Sequence, residues 1–178
     1  MINQDLIDRL FDDVSYLEAE AEALKYLIDS IPYDEKPPEG QSIKEMLQLI
    51  DFAQHHYYRP IIERVLNEDR IIKLSDFNHF EESFLEYDNV ETDIHKVLNK
   101  LIKHRVALLT IIEKIHPIDL EKPLKDVNKG EITLFNFIQY MVNTERSTLK
   151  EIADLILIYQ NEKQYQREIN KKMSQREL

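Results

Sequence analysis

Apolar residues recur along this chain at steps of three and four, the period of one face of an α-helix, in four long stretches. The first runs from about Asn3 to Ile31, with Leu6, Leu10, Val14, Leu17, Ala21, Leu24 and Ile28 on one stripe. Asn3 is its candidate N-cap. Pro32 ends it, because proline lacks an N–H and biases the preceding residue away from helix. The segment from Pro32 to Gln41 holds Pro37, Pro38 and Gly40 and reads as a loop.

Ser42 and Glu45 form the capping-box pair that opens the second stretch, whose stripe is Ile43, Met46, Leu47, Ile50, Ala53, Tyr57 and Ile61. Pro60 falls inside that pattern and predicts a kink; the helix ends near Asn67. Residues 68–88 are the least regular part, but Phe77, Phe80 and Phe84 give them an apolar stripe. They predict a packed crossover holding a short helix.

The third helix is expected from Asn89, its cap, to Ile115, ahead of Pro117, with Val90, Ile94, Val97, Leu98, Leu101, Ile102, Leu108, Ile112 and Ile115 facing inward. A loop carrying Pro117, Pro123 and Gly130 follows. The fourth starts at about Thr133 and shows Leu134, Ile138, Met141, Glu145, Thr148, Ile152, Leu155 and Tyr159. Glu145 and Thr148 interrupt that stripe in mid-helix. Helices of ~40 Å at 1.5 Å per residue bury their stripes by packing together, so the expected fold class is all-α, a four-helix bundle with a long crossover between helices 2 and 3. The domain expected is 1–178, with a C-terminal helix extension at about 160–178.

Composition agrees with this and narrows the function. With 178 residues, 43% apolar and 32% charged, the chain can bury a core under a solvated surface. Two glycines leave few tight turns for a sheet-rich fold. Having no cysteine excludes disulfides and thiolate chemistry. The acidic, amphipathic N-terminus is not a signal peptide, and no run approaches the ~18 apolar residues of a membrane span, so a cytoplasmic protein is expected.

The net charge is -11. Residues 1–100 carry 23 acidic and 10 basic side chains, net -13, and the remainder is net +2. That field repels phosphate backbones, so nucleic acid is not an expected partner. The basic tail residues Lys163, Arg167, Lys171, Lys172 and Arg176 alternate with Glu162, Glu168 and Glu177 and read as a solvated helix end.

The six histidines are His55, His56, His79, His95, His104 and His116, and no two stand three or four residues apart. No single helix therefore presents a two-histidine clamp. His55 and His56 point about 100° apart on an α-helix. There is no P-loop, dinucleotide fingerprint or nucleophile elbow.

The run Pro38 to Asp51 (PEGQSIKEMLQLID) resembles the start of the second helix of the DinB-like, DinB/YfiT-type family of four-helix bundles, where a Ser-φ-x-x-φ-φ-x-His-φ pattern is usual. The stretch from Thr133 to Ile152 is similar to that family's last core helix, which carries His-x-x-x-His. The resemblance implies a bundle holding one divalent metal on three histidines, with hydrolase or thiol-transferase chemistry. Carried onto this chain, the ligand positions fall on Leu49, Thr144 and Thr148, which are poor metal donors. What the resemblance implies here is therefore a protein with no metal and no other cofactor, in a ligand-binding or stress-response accessory role and as a homodimer. Its pocket would be lined by Leu49, Ala53, Thr144, Thr148 and Glu151, with a small molecule as ligand. The alternatives are an enzyme using other residues (a metal on His55 with carboxylates, or Glu145 or Glu151 as base) and a dimeric interaction module.

Overall fold

The computed structural model describes residues 2–88 and 90–174. Helix α1 spans Gln4–Leu27, and the Asn3 side chain accepts from the Asp5 N–H at 3.1 Å to cap it. A 3₁₀ turn at Ile28–Ser30 tightens its end before Pro32. The buried stripe is Ile7, Leu10, Val14, Leu17, Ala21 and Leu24; Leu6 stays 45% exposed, so Ile7 takes the place expected for it.

The capping box is formed on both sides: Glu45 N–H donates to Ser42 Oγ at 3.2 Å and Ser42 N–H to Glu45 Oε2 at 3.0 Å. Behind it, α2 spans Ile43–Ala53, a π-helical turn follows at Gln54–Tyr58, and α3 runs Arg59–Asn67. Pro60 explains the π turn. Its ring would strike the carbonyl one turn back, and widening that turn relieves the clash without ending the helix. The Arg59 N–H accordingly reaches back five residues to the Gln54 carbonyl.

The crossover is packed, as expected, with β1 at Ile72–Lys73 and a short helix α4 at Phe80–Leu85. Helix α5 is Ile94–Ile112 and begins later than the pattern suggested. Its cap is Asp93, whose Oδ1 accepts from the N–H groups of His95 at 2.9 Å and Lys96 at 3.2 Å. Asn89, the cap expected from the sequence, lies outside the described residues. The segment after Pro117 holds more order than a loop. Strands β2 (Pro123–Asp126) and β3 (Gly130–Thr133) form an antiparallel hairpin, and β1 pairs parallel to β2 with Ile72 opposite Leu124. Gly130 takes φ 77° at the turn, and Asp126 Oδ1 accepts from Asn128 N–H at 2.7 Å and Lys129 N–H at 2.9 Å.

The last helix, α6, runs Leu134–Ser174. The four long helices pack as α1 on α5, α2 on α5, and α6 against α1 and α2. Their core divides into two clusters. One surrounds Phe137, Tyr58 and Ile61 beside the crossover and hairpin, and the other surrounds Leu47, Leu98 and Ile152. Past Tyr159 the side chains of α6 are almost all exposed up to Met173. Among the described residues the fold is mostly helical, with one small three-stranded sheet. No helix among the described residues is long and apolar enough to cross a membrane.

Candidate functional site

Between α2, α5 and the crossover lies a cleft of about 260 Å³. Helix α2 supplies Gln48, Asp51 and Phe52, which stand at three- and four-residue steps and so share one face. The π turn adds His55 and His56. Helix α5 supplies Val97, Lys100 and His104, again one face, and the crossover closes the cleft with Phe84, Tyr87, Val90 and Glu91. Gln48 Nε2 donates to the Glu91 carbonyl at 2.6 Å and ties the end of the crossover to α2.

Three histidines from two helices meet here. His104 Nδ1 lies 2.6 Å from Asp51 Oδ1. The His55 ring stacks on that of His104, with centroids 4.4 Å apart and planes 15° from parallel. His56 stacks on Phe52 at 4.5 Å and meets His55 edge-on at 4.7 Å. Tyr87 lies 5.3 Å from His56 and 5.0 Å from Phe52, and Phe84 is 5.5 Å from Phe52.

Burial pushes His55 below the ordinary histidine range, helped by His104 and His56 and opposed by Asp51; burial lowers His56 as well, with Asp51 pulling the other way. The Glu91 carboxyl is held below the usual range, first by the Asp93 N–H and then by Lys96 and Lys100. Lys100 Nζ stands 3.5 Å from Glu91.

The lowered histidines set a sign for pH. Between the folded and unfolded pKa values the unfolded chain binds more protons, so stability falls as pH drops below ~6.5 through the folded values. Urea midpoints at pH 7.5 and 5.5 are expected to lie closer together in a His55→Gln/His56→Gln variant than in the wild type. Equal spacing in the two proteins would show that these rings do not drive the loss.

Stacked imidazoles do not suit a metal ion. Ring nitrogens bind a metal in the plane of the ring, and two nearly parallel rings 4.4 Å apart send those directions side by side instead of to one point. Among the described residues no group of three or more His, Cys, Asp or Glu side chains is arranged to hold a metal ion. The Glu-x-x-His string that di-iron bundles carry on inward faces stands here at Glu113 to His116, past the end of α5, with both residues exposed.

The residues marked by the family pattern lie elsewhere. Leu49 is half-buried and Ala53 buried, on a face of α2 roughly a third of a turn from the strip that lines the cleft. The Thr144 hydroxyl donates to the Tyr140 carbonyl at 3.0 Å and that of Thr148 to the Thr144 carbonyl at 3.1 Å. Glu151 is exposed, and its Oε1 lies 3.5 Å from where a side chain on Gly40 would begin. Two hydroxyls turned back onto their own helix and an aliphatic side chain are not donors that fit a transition-metal ion. None of the five lines the cleft.

A second polar group occupies the core itself. Arg105, with no exposure, donates from Nη2 to Glu145 Oε2. Gln54 and Tyr58, each 1% exposed, are buried in the bundle as well. Both side-chain atoms of Gln54, Tyr58 OH, Arg105 Nε and Nη1, and Glu145 Oε1 have no hydrogen-bond partner among the described residues. Burial pushes the Glu145 carboxyl up, against the pull of the Arg105 guanidinium. It pushes the Tyr58 hydroxyl up too, reinforced by the Glu145 charge.

A four-helix bundle whose second and third long helices are joined by a packed crossover is the class of fold these elements define. No protein-family model and no curated protein matches the sequence. Among solved structures the chain is similar to YfiT from Bacillus subtilis, described as a probable metal-dependent hydrolase with an unusual four-helix bundle topology. The two share 15% identity at a TM-score of 0.71, covering 87% of this chain and 88% of that one. The DinB/YfiT-like bundle expected from the sequence is thus the fold observed.

Proposed function

We propose that this chain is a small-molecule-binding protein built on the DinB/YfiT-like bundle, that its site is the histidine cleft, and that it works without a metal. The convergence of His55, His56, His104 and Asp51 on one cavity with an aromatic wall carries this reading. Apolar walls give a ligand somewhere to bury surface, and a few fixed polar groups orient it. YfiT is described as a probable metal-dependent hydrolase; the donor set Leu49, Thr144 and Thr148 is the reason to separate this chain from that chemistry.

A saturation-transfer NMR screen of small-molecule fragments should yield binders that His104→Ala loses. A screen without binders, or binders indifferent to that substitution, would overturn the assignment. Protein incubated with zinc, nickel and manganese and then dialysed should retain well under one equivalent by elemental analysis. One tightly held equivalent would refute the metal-free part of the reading.

A hydrolase is the second reading, and the Asp51–His104 pair favours it. A carboxylate on Nδ1 fixes the ring so that Nε2 can accept a proton from water. Glu145 is a poor candidate base, being shut in the core on Arg105. Turnover of p-nitrophenyl acetate that His104→Gln abolishes would support the hydrolase; turnover unaffected by it would remove that reading.

A further inference from the structure

Accepting the cleft as the ligand site, we infer that its ligand class is a small organic ammonium ion carrying an apolar or aromatic group. Two independent features of the cavity converge on positive charge. One is the aromatic wall: Phe52, Phe84, Tyr87 and His56 gather with centroids 4.5–5.5 Å apart. Aromatic π-systems carry negative charge on their faces, and gathered rings are the usual means of holding an ammonium group away from water. The other is the carboxylates Asp51 and Glu91 on the same cavity.

The remaining charges do not reverse the sign. Asp51 and Glu91 are two anions, and among the described residues Lys100 is the one lysine or arginine lining the cavity. Its ammonium is 3.5 Å from Glu91, and its side chain is 47% exposed. Arg59 is occupied by Glu63 at 2.9 Å. The lowered histidines His55 and His56 are neutral at pH 7, and His104 shares the Asp51 carboxylate. Beyond the cavity, the net charge of -11 and the net -13 of residues 1–100 add an attractive long-range field for cations. An anion would meet that field, two carboxylates and the negative ring faces, offset by Lys100 in the lining and by Lys96 near Glu91.

The size of the cleft limits the ligand. About 260 Å³ lies just below the ~300–1,000 Å³ usual for ligand pockets, which suits one ring with a short amine arm.

Three probes of one shape separate the possibilities: phenylethylammonium, the uncharged phenylethanol, and phenylacetate. Binding is read from the imidazole C–H resonances of His55, His56 and His104 in the full chain at pH 7.5. Phenylethylammonium is expected to shift all three and to bind ~10-fold more tightly than phenylethanol, with phenylacetate weaker still. Glu91→Gln should weaken the ammonium ~5-fold and leave phenylethanol unchanged, with the helical circular dichroism signal confirming the fold. Phenylacetate binding as tightly as the ammonium would overturn the ligand class and leave the cleft as the site. No shift with any of the three would remove both. An ammonium affinity unmoved by Glu91→Gln and by Tyr87→Ala would place its binding elsewhere and defeat the inference.

Discussion

Glu145→Ala is expected to lower the free energy of unfolding by about 3–5 kcal/mol, the usual result of breaking a buried ion pair from one side. Arg105 has no exposed surface, and its Nε and Nη1 already lack partners. Removing the carboxylate strands a full positive charge in the core, where water cannot reach it. Arg105→Ala should cost a similar amount, for a different reason: it empties a large side chain's volume and leaves Glu145 alone. The double replacement Arg105→Met/Glu145→Leu removes both charges at once and is expected to equal or exceed the wild type in stability. Urea unfolding followed by circular dichroism measures all three. A loss under ~1 kcal/mol for Glu145→Ala would mean that water reaches the pair after all.

The sequence carried more of this pair than its apolar stripes suggested. Leu98, Leu101, Arg105, Leu108 and Ile112 fall at three- and four-residue steps and are all buried. An arginine on that stripe is in the core by position, and a glutamate on the stripe of α6 is the partner such an arginine needs. Read one helix at a time, Glu145 looked like an interruption; read across helices, each charge accounts for the other. The cap at Asn3, the Ser42–Glu45 box and the stop at Pro32 were legible because each depends on neighbours within a few residues. Two-residue and four-residue strands have no such local signature, and the sheet at β1, β2 and β3 went unread.

The cleft was illegible for a related reason. His104 meets Asp51 and His55 across about fifty residues of sequence, so no spacing rule on one helix could bring them together. A partial signal existed in Pro60. A proline inside a helical pattern must widen or break the turn before it, and here that turn holds both His55 and His56. The angle between adjacent side chains on a regular helix was therefore the wrong measure for this pair.

Phe137→Ala is expected to destabilise the protein by about 3–5 kcal/mol, while Phe84→Ala should cost about 1 kcal/mol or less and instead weaken ligands of the cleft. Phe137 is 1% exposed on α6, with its ring 5.6 Å from Tyr58 and 6.2 Å from Tyr57. Those tyrosines in turn meet Phe80 of the crossover at 5.6 and 5.5 Å. One ring thus joins the last helix, the π turn and the crossover, and deleting it opens a cavity that three elements would have to collapse to fill. Phe84 lies one turn of α4 further on and is half-buried against Phe52, so water can fill the space it leaves. Urea unfolding of the two variants, with ligand titration of Phe84→Ala, separates scaffold from site. Comparable losses of stability would make the wall of the cleft part of the core. A clear difference, with binding lost where stability is kept, is what a ligand site predicts, because a site must leave aromatic surface unburied until its occupant arrives.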